Sequence, residues 1–184
     1  MNLRTPQLHA RLPRLAAENY QGFAYVHWTM GMQDRASGWL TPGHHAALRE
    51  LLFHTCLRYH LACPSYCLMP DHAHFLWIGL HPTSDQRLAS SWFRRYWNAI
   101  LAPVRQLHCQ AYDHVLRAPE RSTEAFASIA AYIQNNPVRA GLVTAWGDWP
   151  YLGAIYPGVY PFDPRHDDFW DRFWREQIRS ERSA

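Results

Sequence analysis

Lysine is absent from this sequence, and all eighteen basic residues are arginine. Every positive side chain is therefore a planar fork able to hold phosphate or carboxylate through two hydrogen bonds. Long apolar runs are missing as well. No stretch approaches the roughly 20 residues that cross a bilayer. The segment from Met1 to Ala17 contains arginine and proline but no apolar core of a secretory signal. These absences predict a cytoplasmic protein without a membrane partner. Cysteine is scarce, and Cys56, Cys63, Cys67 and Cys109 suit free thiols in that compartment. The net charge is only +3, so composition alone does not mark a nucleic-acid binder.

What is present is apolar and aromatic material. With 48% hydrophobic residues over 184 positions, the chain can build a real core and falls in the size range of one ordinary domain. Nine tryptophans and ten tyrosines supply stacking surfaces that unpaired bases could use, although the ordinary place for such rings is the core.

Gly22 to Met30 (GFAYVHWTM) is rich in β-branched and aromatic residues and predicts a first strand. Thr41-Pro42 predicts a helix start, with the cap on Thr41 and proline at the first helical position. Leu48, Leu51, Leu52, Cys56 and Leu57 continue that helix at helical spacing. Tyr66–Met69 and Ala73–Leu80 predict two more strands, interrupted by Pro70-Asp71. A second helix, capped by Thr83 or Ser84, runs to Ile100 with Leu88, Trp92, Tyr96 and Ile100 on one face. Tyr112–Arg117 predicts a fourth strand, and Ser122 or Thr123 opens a third helix that Pro137 ends. This β-α-β-β-α-β order plus one helix predicts an α+β, ferredoxin-like (RRM-like) antiparallel sheet layered on helices. The divisions expected are an N-terminal extension over residues 1–21, a body over 22–145, and a C-terminal extension over 146–184. That extension is expected to be irregular up to Pro164. A final helix from about His166 to Arg179 then docks on the body through Phe169, Trp170, Phe173 and Trp174.

Two segments carry chemistry. In Met69-Pro70-Asp71-His72-Ala73-His74 an extended backbone projects His72 and His74 to the same side. Two imidazoles so placed can bind one divalent ion and leave positions open for phosphate oxygens. Among twelve histidines, however, such a pair arises readily by chance. In Ala131-Tyr132-Ile133-Gln134-Asn135-Asn136-Pro137-Val138-Arg139-Ala140-Gly141-Leu142-Val143, Tyr132 and Asn136 stand four apart and share a helix face. On spacing alone, the plainer reading prevails: Tyr132 as a half-buried core tyrosine and Asn136 as a helix C-cap before proline. Cys63 and Cys67 followed by His72 and His74 offer a third option, a zinc-binding interaction module.

Taken together, MPDHAH and YIQNNPVRAGLV resemble the HUH tyrosine transposases, specifically the branch associated with repetitive extragenic palindromes (REP). Supporting pieces stand in the family's order: YVHWTM, YCLMPDHAHFLW, AYDHVLR and WPYLGAIYPG, so that the resemblance covers roughly Gly22 to Asp171. It implies that His72 and His74 bind Mg²⁺ or Mn²⁺ with Asn136 as third ligand, and that Tyr132 is the nucleophile. It implies a nucleoid-associated enzyme that cleaves and rejoins single-stranded or hairpin DNA through a 5′-phosphotyrosine. Arg94, Arg95, Arg117 and Arg139 are the candidate phosphate contacts. Asp113 and His114 receive no role at this level, and a homodimer is left open. The competing expectation within the same fold is a DNA-binding regulator without catalysis.

Overall fold

A computed structural model of the chain describes residues 13–183, and side chains through residue 180. Most of the N-terminal extension expected from sequence lies outside the described residues. The elements are β1 (Tyr25–Gly31), α1 (Pro42–Arg58), β2 (Leu61–Leu68), β3 (His72–Gly79), α2 (Gln86–Leu101), β4 (Tyr112–Val115), α3 (Thr123–Gln134), α4 (Asn136–Arg139), β5 (Leu152–Ile155) and α5 (Phe169–Ser183). They form an antiparallel sheet in the order β4-β1-β3-β2-β5. The first four strands and their two crossover helices make the ferredoxin-like unit.

Strand alternation divides the core into two layers. Val26, Trp28 and Met30 of β1 and Ala73, Phe75 and Trp77 of β3 face α1 and α2, where they meet Leu48, Leu52, Phe93 and Trp97. Leu76 and Ile78 of β3 face the other way, toward Phe126, Ala130 and Ile133 of α3 and Phe169 and Phe173 of α5. Helices thus cover both faces: the two crossover helices lie on one side, with α3 and the C-terminal helix on the other. The apolar stripe on α5 packs against α3, with the Phe173 ring stacked on Phe126 at 5.7 Å.

Local chemistry explains most of the boundaries. Thr41 accepts the backbone N–H of His44 at the start of α1, with Pro42 next to it. Ser122 likewise accepts from the backbone N–H of Ala125. α2 departs from expectation twice. Its cap is Asp85, whose carboxylate accepts from the N–H groups of Arg87 and Leu88. Ser84 is instead turned to the His60 carbonyl. Leu88, Trp92, Tyr96 and Ile100 do share a face, but it is the outer one. The adjoining stripe of Ala89, Phe93, Trp97 and Leu101 is buried. Both stripes are apolar, and the one that fills the space against Phe75 and Trp77 faces inward.

The C-terminal tail also differs at one point, because Leu152–Ile155 forms an edge strand on β2. Gly153 makes this possible, since a Cβ there would stand 2.7 Å from the Tyr66 hydroxyl oxygen. Trp149 Nε1 donates to the Leu68 carbonyl and pins the entry to this strand.

Candidate active site beneath the third helix

The antiparallel register brings the site together from four elements. His72 and His74 occupy β3, opposite Gly31 and Thr29 of β1. Alternation sends His27, Thr29, His72 and His74 to the face that carries α3, while Ala73 goes to the opposite layer. Tyr132, on the last turn of α3, lies over this row. Its ring centre is 6.4 Å from that of His27 and 6.5 Å from that of His74, both edge-to-face. The tyrosine is 45% exposed, and among the described residues its hydroxyl has no hydrogen-bond partner.

The histidine pair is tightly organised. The Nε2 atoms of His72 and His74 stand 3.1 Å apart. His72 Nδ1 lies 2.6 Å from Asp71 Oδ1, and Asp71 is gripped by Arg35 through Nε at 2.9 Å and Nη2 at 2.8 Å. Burial opposes ionisation of Asp71, but the hydrogen bonds from His72 and Arg35 outweigh it and hold its carboxyl below the usual range. His74 Nδ1 faces His27 Nε2 at 3.0 Å and Thr29 Oγ1 at 3.1 Å. Burial above all, with His27 and His72 close by, holds His74 down at about 3. Burial and His114 hold His27 at about 4. Both rings are therefore neutral near pH 7, the form in which imidazole ligates metal.

The donors fit a divalent cation of modest demand. Two nitrogens bound at about 2.1 Å on adjacent positions of an octahedral ion lie roughly 3.0 Å apart, matching the separation of the two Nε2 atoms. Asn136 Nδ2 donates to the carbonyls of Tyr132 and Ile133, and among the described residues Oδ1 has no hydrogen-bond partner. Among the described residues no group of three or more His, Cys, Asp and Glu side chains converges on one point. Any ion here therefore relies on the histidine pair plus neutral oxygen. The zinc reading loses its geometric basis. Cys63 belongs to the α1/α2 layer and Cys67 to the α3 layer, and burial pushes both thiols up.

The predicted arginines divide between the two faces. Arg139 is exposed, with its guanidinium 4.5 Å from the centre of the Tyr132 ring. Arg117 is exposed at the end of β4, where its backbone N–H donates to Glu120. Arg94 and Arg95 lie on α2, across the sheet from Tyr132. Arg94 is turned to the His108 carbonyl, and Arg95 covers Tyr96 at 5.8 Å. The structure therefore does not bring these two to the candidate site.

Asp113 and His114 gain positions. Asp113 faces the α1/α2 layer and ties the N-terminal segment to β4 through Tyr20 and through Arg14 at 3.2 Å. His114 stands opposite His27 on the site face and pairs with Glu120 at 2.8 Å. Sequence reasoning passed over His27 and Thr29. Their signal was present, because two polar residues alternate with Val26, Trp28 and Met30 along β1. Tyr112, also exposed, pairs with Thr29 on the same face.

A five-stranded antiparallel sheet of this order, covered by helices, defines an α+β fold. In particular, the chain is similar to a solved REP-associated tyrosine transposase bound to a REP hairpin, with a TM-score of 0.64 and 18% identity, covering 78% of this chain and 81% of that one. At that identity the likeness establishes the fold. A Deinococcus radiodurans R1 chain provisionally described as a transposase aligns over 68% of this chain and 97% of its own length, at 14% identity and a TM-score of 0.45, too low to bear on function. No protein-family model matches the sequence, and no curated protein resembles it significantly. Among the described residues no helix is long and apolar enough to cross a membrane.

Proposed function

We propose that this chain is a single-strand DNA endonuclease and strand transferase acting on palindromic hairpin DNA, with Tyr132 as its nucleophile. The observation that carries the reading is the edge-to-face packing of Tyr132, exposed and with no hydroxyl partner among the described residues, on His74 of the close histidine pair, with an arginine beside it. The solved structure similar in fold was bound to a REP hairpin, which supports hairpin DNA as the partner.

In this reading His72 and His74, with Asn136 Oδ1, hold a divalent cation, Mg²⁺ or Mn²⁺. When bound, the cation supplies Lewis-acid polarisation of a non-bridging phosphate oxygen. Arg139 and Arg117 hold flanking phosphates through their guanidinium forks. The Tyr132 phenolic oxygen attacks phosphorus in line, and the bond from phosphorus to the 3′ oxygen breaks. The phenolic proton passes to solvent, and the departing oxygen takes up a proton to become a free 3′-hydroxyl. The 5′-phosphotyrosine conserves the phosphoester, so an incoming 3′-hydroxyl reverses the step and joins strands.

The test is incubation of labelled single-stranded palindromes from around the chain's own gene with protein and Mn²⁺, followed by denaturing gels. A covalent protein–DNA adduct with wild type and none with Tyr132→Phe is the expected result. An adduct that persists in Tyr132→Phe moves the nucleophile to Tyr112. Tight hairpin binding with no adduct favours a non-catalytic regulator.

A further inference from the structure

The proposed chemistry needs two bare imidazole nitrogens pointed at one place, and a neutral imidazole presents a lone pair on only one of its two nitrogens. Which nitrogen that is depends on what the other one touches. For His72 the answer is direct. Its Nδ1 lies 2.6 Å from Asp71 Oδ1, and an ionised carboxylate can only accept, so the proton sits on Nδ1 and Nε2 is left to face His74.

For His74 the decision falls on β1. His74 Nδ1 has two neighbours at nearly equal distance, His27 Nε2 at 3.0 Å and Thr29 Oγ1 at 3.1 Å. An aromatic nitrogen has a single in-plane lone pair and cannot accept well from two donors. A single N–H shared between two acceptors is an ordinary three-centre arrangement. With the proton on His74 Nδ1, His27 Nε2 and a Thr29 lone pair both serve as acceptors, and His74 Nε2 is bare. With the proton on His74 Nε2 instead, that N–H is given to His72 Nε2 at 3.1 Å. It then closes the space between the two rings, and one of the β1 groups loses its partner. The two arrangements compete in the metal-free protein.

We infer that His27 and Thr29 are positioning residues that hold His74 in its Nδ1–H tautomer, as Asp71 and Arg35 do for His72, so that both Nε2 lone pairs converge. The frame has two halves on different strands. Arg35, just after β1, reaches back to Asp71 in the β2–β3 turn, while His27 and Thr29 act across the β1–β3 ladder. His27 does not serve Tyr132 as a base in this arrangement, because its Nε2 is already turned to His74. The purpose of the frame rests on the proposed cation site, but the tautomer itself does not. Outer partners of this kind typically change metal affinity about 10- to 100-fold.

The experiment uses full-length protein with ¹⁵N-labelled histidine, in long-range proton–nitrogen spectra recorded without metal, alongside Mn²⁺ titration followed by electron paramagnetic resonance. Wild type should show the His74 proton on Nδ1. His27→Gln keeps an acceptor near the same place and should keep both the tautomer and Mn²⁺ affinity within about threefold. The pair His27→Phe with Thr29→Val should lose the tautomer preference and bind Mn²⁺ about 10- to 100-fold more weakly. Thr29→Val alone, which removes one acceptor, should fall between, and it serves if the double variant does not fold. A wild-type His74 protonated on Nε2 overturns the inference, as does a folded double variant with unchanged Mn²⁺ affinity. If wild type binds no Mn²⁺ at all, the cation reading fails, and the tautomer spectra alone still decide this inference.

Discussion

The guanidinium of Arg139 sits over Tyr132 with its central carbon 4.5 Å from the ring centre, although the two residues are seven apart and α3 ends between them. The turn through Asn135 into the four residues of α4, with Pro137 in its first turn, bends the chain back so that this contact forms. An exposed cation–π pair contributes only about 0.5–1 kcal/mol, so Arg139→Ala should scarcely alter urea unfolding. Hairpin DNA binding should weaken, and the dependence of log affinity on log salt should become shallower by about one unit. Fluorescence anisotropy at several salt concentrations checks this. An unchanged salt slope would restrict Arg139 to holding the tyrosine ring.

Each histidine of the pair should answer differently to removal. His72 is partly open, so His72→Ala should abolish Mn²⁺ binding and cleavage while costing below about 1 kcal/mol. His74 is only 7% exposed and satisfies partners on β1. His74→Ala should lose the same activities and also cost about 1–3 kcal/mol, because buried polar groups are left unpaired. Mn²⁺ calorimetry and urea melts on both variants measure the difference. Full cleavage by wild type in EDTA would overturn the cation assignment.

How much of this could be read from sequence depended on whether the signal was local. The order of strands and crossover helices was legible because alternation and capping residues are local, as at Thr41-Pro42 and Ser122. The shared side of His72 and His74 follows from strand period alone. The inner face of α2 was not legible, because Leu88–Trp92–Tyr96 and Ala89–Phe93–Trp97 are both apolar and only the sheet decides between them. β5 was missed because four residues between turns carry little periodicity, and pairing with β2 through Gly153 is a tertiary event. The partners of His74 on β1 needed the register, which sequence spacing does not give. Arg94 illustrates the reverse case, a basic residue assigned to DNA on charge that is turned toward a backbone carbonyl.

A pH dependence unrelated to the candidate site should come from His45. This ring contacts the Tyr66 hydroxyl at 3.0 Å, and burial, followed by the charges of Arg49 and Arg165, lowers its pKa to about 4. The unfolded chain binds a proton near 6.5, whereas the folded chain resists until about 4. The unfolded state therefore takes up more protons as pH falls through this window, and folding stability declines with it. Above about pH 7 the residue adds no slope, and across the whole window the loss is at most about 3 kcal/mol. His45→Gln keeps a polar group toward Tyr66 but cannot titrate. Urea unfolding between pH 7 and pH 4 should thus be flatter for this variant than for wild type. Parallel curves would show that His45 is solvated enough to protonate in place.

Cleavage should require an unpaired strand and fail on the same sequence as a perfect duplex. The Tyr132 and His74 rings pack edge to face between α3 and β3, with their centres 6.5 Å apart. A scissile phosphate must come in beside these rings with its bond to the 3′ oxygen pointing away from the phenol, which demands free rotation of the strand on both sides. A paired strand keeps its phosphates on a rigid helix whose major groove alone is about 12 Å wide, and the partner strand would collide with α3 or with β3. Unpaired bases gain in addition, since stacking on an exposed aromatic contributes about 1–3 kcal/mol per base, and Tyr112 stands exposed on the same face. One labelled strand should therefore be compared alone, as a hairpin with an unpaired flank, and as a full duplex, all with Mg²⁺ and at equal salt. The hairpin with its flank should be cut best and the duplex not at all. Equal cutting of the duplex would mean that the phosphate reaches Tyr132 without leaving the helix, and would overturn the requirement for an unpaired strand.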